Sequence, residues 1–372
     1  MLRFATAPRS DMHISDLRIA LFNYHKAQEK GEDFIVRIED LDTKSVIEGK
    51  DQEILDTLAL FGVQYTQVIH QSQNVRFHTA MALQLLHEKK AFSCFCSDAW
   101  LGGKEKYDDA CRNLPAELVI DNENPFRIRV NAPESGALDS FEIMHQDKTP
   151  TYDFASAVDD MLSDISVIIC DESYKEHSLK QAHIRESLAY DKQIEYVYMP
   201  SMTGENPSVK SLLEDGFLPE AILDYLISTE DSSFHFDLKA LQKKNQEHLK
   251  NLDAKELSRY VGFADAEIGE LARLYLDEVY RTKALKACIS PIFTKRNVPE
   301  SLKEDVSMLI EKIKNAPYFE KYDDFKNYLQ QSSQISEDFD KALRIVLTNR
   351  AEGPDLAEIY KYIKNYLGEI IK

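Results

Sequence analysis

Residues 4–18 read FATAPRSDMHISDLR. An apolar run meets a Pro/Ser/Asp turn, and a His then opens a segment with helical spacing. Nucleotide phosphates sit at such strand-to-helix crossings in α/β folds, because first-turn N–H groups and the helix dipole face the ligand there. The stretch lacks the glycines expected where a backbone must approach a ligand closely. Arg9, Ser10 and Ser15 stand in the loop and first turn instead.

Working outward, residues 1–7 read as a strand and Ile14–Gln28 as a helix, with Leu17, Ala20, Leu21 and Tyr24 on one face. Asp33–Glu39 (DFIVRIE) reads as a buried strand with a charged end, and Glu48–Phe61 as a second amphipathic helix. Strand, helix, strand, helix implies a right-handed parallel crossover, and so an α/β nucleotide-binding core. Residues 65–150 are less regular. Val75–Lys89 reads as helix, Ser93–Asn113 carries cysteines, and Arg127–Val130 and Ser140–His145 read as strands. The α/β theme returns at Ile165–Ile169, and Pro219–Ser228 is helical. From about 235 to 372, charged amphipathic helices follow one another with apolar residues three and four apart, so this half reads as a mostly helical module.

The chain has 372 residues, 43% hydrophobic and 10% aromatic, enough for two or three domains with real cores. There is no run of about 18 apolar residues, so no membrane span is expected. Met1–Ala7 is short and Asp11 and His13 follow at once, which is not a signal peptide; a cytoplasmic protein is expected. The net charge of −19 argues against broad, non-specific binding to nucleic acid, although a local basic patch would suffice for a specific contact. Of the five cysteines, Cys94, Cys96 and Cys111 cluster, and in a reducing compartment clustering favours metal over disulfide. Cys288 reads as a core residue, and Cys170 as a packed thiol at the end of a buried strand.

In a parallel sheet, Arg3 on the first strand and Glu39, Asp40 and Asp42 at the end of the second face one crevice. An Arg and a Glu at that edge are placed to bracket a small zwitterion, and His13 at the helix start is placed to touch an ATP phosphate. Taken singly, each reads as a surface ion pair or a cap.

MLRFATAPRSDMHISDLRIALFNY followed by FIVRIEDLDTKSVIEGKDQEIL resembles the opening of bacterial glutamyl-tRNA synthetases, class I enzymes that read R-F-A-P-S-P-T-G-x-x-H-I-G-H-x-R and then R-I-E-D-T-D. The resemblance continues through HQDKTPTYDFASAVDD (145–160), SVKSLLEDGFLPEAILDYLI (208–227), HFDLKALQKKNQEHLKNLD (235–253) and LRIVLTNRAEGPDLAEI (343–359), so it covers nearly the full length. It implies a Rossmann-like α/β catalytic core over 1–230 with an acceptor-binding insertion at about 72–150. An all-α stem-contact region over 231–290 and an anticodon-binding-like domain over 291–372 would follow. It implies glutamate activation with ATP and magnesium and transfer to tRNA. Arg3, Glu39 and Tyr152 match positions lining the glutamate pocket, and His13 matches the first His of the ATP signature.

The departures fall in the chemistry. The H-I-G-H signature is His13-Ile14-Ser15-Asp16. Ser15 adds a side chain where adenine would lie on bare backbone, and Asp16 puts a carboxylate near a triphosphate. The Ser-Pro-Thr-Gly loop is Ala7-Pro8-Arg9-Ser10, and Arg-Gly-Glu-Asp-His is Cys170-Asp171-Glu172-Ser173-Tyr174. Replacing a bidentate Arg–carboxylate contact by Cys removes on the order of 1.5–3 kcal/mol. K-M-S-K-R is missing between Tyr198 and Ser208 (YMPSMTGENPS), and Lys210 lies beyond it. Losing even one such electrostatic stabiliser costs about 10²–10³ in rate.

Cys94-x-Cys96, Tyr107 and Cys111 resemble the zinc-bearing Cys-x-Cys…Tyr-x3-Cys pattern of the related glutamyl-queuosine tRNA synthetases. That resemblance implies a structural zinc, with Asp98, Asp108 or Asp109 as substitutes for the tyrosine. Three readings follow. The first is a paralogue that no longer charges tRNA and works by binding tRNA, another synthetase or a tRNA-dependent enzyme. The second is an active glutamate–tRNA ligase with atypical signatures. The third is an enzyme using another activated donor.

Overall fold

The computed structural model describes residues 1–97, 107, 109–228, 234–331 and 338–372. The chain divides into two compact units: residues 1–209 with 230–236, and residues 210–229 with 237–372.

The first unit is built on a five-stranded, all-parallel sheet of β1 (Leu2–Thr6), β2 (Phe34–Ile38), β3 (Gln67–His70), β7 (Val167–Asp171) and β8 (Glu195–Met199), in the order β3-β2-β1-β7-β8. Helix α1 (Ile14–Lys30) follows β1 and α2 (Lys50–Leu60) follows β2. The strand order reverses between β1 and β7, which makes the carboxyl ends of these two strands the switch point where doubly wound sheets bind ligands. β2 (FIVRI) is buried throughout, as a central parallel strand must be. α1 turns Ile14, Leu17, Ala20 and Leu21 inward and ends at Gly31, whose left-handed φ of 63° lets its N–H reach the last carbonyls.

β1 and β7 are registered only at Leu2 and Val167. Beyond that point the side chain of Asn23 from α1 takes the place of a ladder neighbour. Its Nδ2 donates to the Ile169 carbonyl at 2.7 Å and its Oδ1 accepts from the Ile169 N–H at 3.0 Å. The two strands therefore open toward their carboxyl ends with the N–H and carbonyl of Ile169 still paired.

Between β3 and β7 lie α3 (Val75–His87), a short α4 (Ala116–Ile120), α5 (Tyr152–Leu162) and an antiparallel sheet of β4 (Ala91–Cys94), β5 (Arg127–Val130) and β6 (Phe141–Met144). α6 (Lys175–Ser187) follows β7. The strands β3, β4 and β8 and the helix α4 go beyond the sequence expectation. β3 and β4 have four residues each, and β8 (EYVYM) is a largely exposed edge strand, so none carries enough periodicity to stand out.

Among the described residues the second unit holds helices only. Its core gathers Leu257, Leu271, Leu285, Phe325, Leu343 and Ile359 with many other apolar side chains. The helices Ala254–Val261 and Ala266–Arg273 touch so closely at Gly269 that an added Cβ would fall 1.6 Å from the Ala254 carbonyl oxygen. Asn245 is a buried polar pin: Leu218 N–H donates to its Oδ1 at 2.7 Å, and its Nδ2 donates to the Tyr280 carbonyl at 2.5 Å.

No helix of the described residues is long and apolar enough to cross a membrane.

Candidate functional site

A cavity of about 810 Å³ opens between the splayed ends of β1 and β7. Arg3, Glu39 and Tyr152 all line it, as do Cys170, Asp171 and Tyr174 after β7. The sequence-derived pocket residues are thus gathered in one place. The charges of Arg3 and Glu39, however, are met by the buried Asp160 and Arg37. Arg3 Nε and a terminal nitrogen donate to Asp160 at 2.7 and 3.0 Å, and the buried Arg37 donates to the same carboxylate at 2.5 Å. Arg37 also reaches Glu39 Oε1 at 3.2 Å, where Ser156 Oγ approaches to 3.5 Å. Burial opposes the ionisation of Asp160, but the Arg3 and Arg37 guanidiniums override it and hold the carboxyl down at about 2. Cys170 replaces no part of this charge, since burial pushes its thiol up. Burial, reinforced by the Glu39 carboxylate, pushes the Tyr152 hydroxyl up as well.

The start of α1 is closed by the chain itself. His13 occupies the N-cap position with extended backbone, and its N–H donates to Asp16 Oδ2 at 3.2 Å. Ile14 N–H donates to the Pro207 carbonyl at 3.1 Å, and Ser15 N–H to Asn206 Oδ1 at 3.3 Å. Asn206 Nδ2 returns a bond to Ser15 Oγ at 2.9 Å, and Val209 N–H donates to Met12 O at 2.8 Å. His13 faces Ser208 in an antiparallel bridge and is not among the residues lining the cavity, whereas Ser15 and Asp16 are. The helix N-terminal donors that would cradle an anion are therefore consumed by residues 206–207 and Asp16. The segment is pinned further by Ser201 Oγ donating to Asp171 at 2.6 Å and by Thr203 N–H donating to the Phe234 carbonyl at 2.9 Å. Arg9 and Lys44 are cationic side chains on the same cavity wall.

The four sequence-derived metal residues converge as well. The sulfurs of Cys94, Cys96 and Cys111 lie within 4.8 Å of one another. The Tyr107 hydroxyl is 3.3 Å from Cys94 Sγ and 3.9 Å from Cys96 Sγ. Its ring is held by Phe92, stacked at 6.3 Å, and by the Arg129 guanidinium at 4.0 Å. Burial pushes the Cys96 thiol up to about 12. A soft S3O donor set at this spacing suits zinc. Of the substitutes weighed for the tyrosine, Asp109 is turned to Ser140 and Arg112, and Asp98 and Asp108 lie outside the described residues. All five cysteines are free thiols.

Sequence reading did not single out Asp160, although it sits in the quoted stretch 145–160. Nor did it find the dyad of Asp153 and His177, whose members are 24 positions apart with no motif between them.

The fold and the cavity at its switch point are those of a nucleotide-type α/β enzyme core. The family model for class I tRNA synthetases (E and Q), catalytic domain, matches residues 1–117 and 112–212. The chain is 48% identical to glutamate–tRNA ligase 2 of Sulfurimonas denitrificans and 38% identical to glutamate–tRNA ligase 1 of a Nitratiruptor species, in each case over the whole of both chains. Its fold matches the glutamate–tRNA synthetase of Elizabethkingia anophelis with a TM-score of 0.75, at 19% identity over 99% of this chain and 98% of the other. The glutamate–tRNA ligase of Elizabethkingia meningosepticum in complex with its amino acid gives 0.77, at 18% identity over 99% and 97%. The chain belongs to the glutamate–tRNA ligase family of class I aminoacyl-tRNA synthetases. Membership implies ATP with magnesium as reactants and tRNA as the expected partner.

Proposed function

We propose that this family member is impaired in, or has lost, glutamate activation and acts in the cytoplasm as a tRNA- or synthetase-binding paralogue. The observation that carries the reading is the start of α1, where Asn206 and Pro207 take the N–H groups of Ser15 and Ile14. A triphosphate would have to displace those bonds and face the Asp16 carboxylate. Cys170 and the charge-cancelled Arg3–Asp160–Arg37–Glu39 group support the same reading, because they leave little cation for a side-chain carboxylate. Arg3, Glu39 and Tyr152 remain the pocket for an amino-acid moiety, and His13 is a remnant of the ATP signature. Residues 231–290 and 291–372 serve as stem-contact and anticodon-binding regions.

Pyrophosphate exchange with glutamate and ATP, run with and without tRNA, tests the reading. The expected result is no glutamate-dependent exchange, together with retention of tRNA on filters at low salt. Glutamate-dependent exchange in either arm overturns it and establishes the second reading, an active ligase, which the full-length likeness to glutamate–tRNA ligases favours.

We also infer that Cys94, Cys96, Cys111 and Tyr107 hold a structural zinc. Metal analysis of the purified chain should find one zinc per molecule, lost on Cys96→Ser.

A further inference from the structure

We propose that Asp153 and His177 form a proton-transfer dyad in the cavity, and that the chain hydrolyses α-aminoacyl esters there. His177 Nδ1 lies 2.8 Å from Asp153 Oδ1, and His177 lines the cavity with its side chain 42% exposed. A carboxylate accepts only, so Nδ1 carries the proton and Nε2, across the ring, carries the lone pair of a base. The imidazole is seated between two rings, Tyr152 edge-on at 5.3 Å and Tyr174 at 5.5 Å.

Behind it runs a chain of hydrogen bonds with one consistent direction. The buried Arg185 donates to the Tyr196 hydroxyl at 3.1 Å, Tyr196 donates to Gln181 Oε1 at 3.3 Å, and Gln181 Nε2 donates to Asp153 Oδ1 at 3.3 Å. Arg185 is 5% exposed, and one of its terminal nitrogens is buried without a partner. A buried cation without a carboxylate beside it is costly. Here the four-residue chain couples it to the Asp153 carboxylate and locks the orientation of every member. His177 is the base in this arrangement, and Asp153, Gln181, Tyr196 and Arg185 position it.

The ligand class follows from what else the cavity offers. Glu39 Oε1 is taken by Arg37 and Ser156, and among the described residues Oε2 accepts no hydrogen bond, so it is placed to take an ammonium group. Because the anion cradle at α1 is closed, an acyl group has to arrive already activated, and an aminoacyl ester of a ribose hydroxyl meets both conditions. The proposal rests on the tRNA-binding reading only for the source of that ester. In the step, His177 Nε2 takes a proton from water while the water oxygen bonds to the ester carbonyl carbon. The C–O bond to the ribose then breaks, and the imidazolium returns the proton to the leaving alkoxide. Free amino acid and a free hydroxyl result.

Release of amino acid from 3′-aminoacyl adenosine and from aminoacyl-tRNA by the full chain tests this against buffer. The wild-type chain is expected to exceed the spontaneous rate about 10³-fold, and His177→Gln to lose about 10²–10³ of that with tRNA binding and melting temperature unchanged. Asp153→Asn presents the wrong tautomer and should lower kcat by about 100-fold with little change in KM. No acceleration by the wild-type chain, or an unimpaired His177→Gln, overturns the inference. If tRNA is bound but esters are untouched, the inference fails and the functional reading stands. Glutamate-dependent exchange would sink the reading and leave the ester result to be judged alone.

Discussion

The two units of the chain bury different things. The first encloses Arg37, Asp159, Asp160 and His78, at most 2% exposed, and settles them by pairing. Asp159, for example, takes bonds from Gln71, Asn74 and His78 at 2.8–2.9 Å. In the second unit the fully buried polar residues among those described are Asn245, Ser258 and Thr348, all uncharged, inside a hydrocarbon core. Burying ions adds little net stability compared with packed apolar groups, but removing one partner is expensive. The contrast teaches that the first unit keeps desolvated charge beside its cavity, while the second buries only uncharged polar groups within its packed apolar core.

The largest effect should come from Asp160→Asn. It leaves the Arg3 guanidinium without its carboxylate and Arg37 with Glu39 alone, and is expected to cost about 3–5 kcal/mol in the first unit, read by denaturant unfolding. A cost under about 1 kcal/mol would break the contrast. Leu343→Ala in the second unit leaves a cavity in a fully buried site and should cost about 3 kcal/mol, with no change in ligand binding at the cavity of the first. Asn245→Ala removes the polar pin and exposes the buried Leu218 N–H to no partner, for about 2 kcal/mol.

Acid should then separate the units. The Asp160 carboxyl is depressed in the folded state to about 2, against about 3.9 in an unfolded chain. The stability it contributes is fully present above about pH 4 and lost as pH falls toward 2, so the first unit should weaken over that window more than the second. Circular dichroism melts between pH 5 and 2.5 measure it, and Asp160→Asn should flatten the trend. The smallest change is Ser15→Gly, which gives up the Asn206 Nδ2 bond and should cost about 1 kcal/mol.

Much of this was legible beforehand. FIVRI has the unbroken apolar character of a central parallel strand, and the α1 sequence repeats its apolar residues at helical spacing, so the α/β core could be read locally. The helical second unit could be read for the same reason. Arg3, Glu39 and Tyr152 were reached because parallel strand ends must share a crevice and because their motifs resemble a family. What stayed hidden depends on contacts across long stretches of chain. Ser15 meets Asn206 across 191 positions and Arg3 meets Asp160 across 157, and no local pattern encodes either. Resemblance places His13 and Asp16 beside a triphosphate, and the structure adds the capping bond from the His13 N–H to the Asp16 carboxylate, which no motif announces.

Asn23 deserves a last consequence of its own. Because its amide stands in for a strand neighbour of Ile169, the separation of β1 and β7 at the cavity is held by one side chain. It is a spacer carried on α1 and bonded directly to the strand it holds apart. Aperture and chemistry are thus written at different positions: size can be retuned at residue 23 while Glu39, Tyr152 and His177 are left untouched.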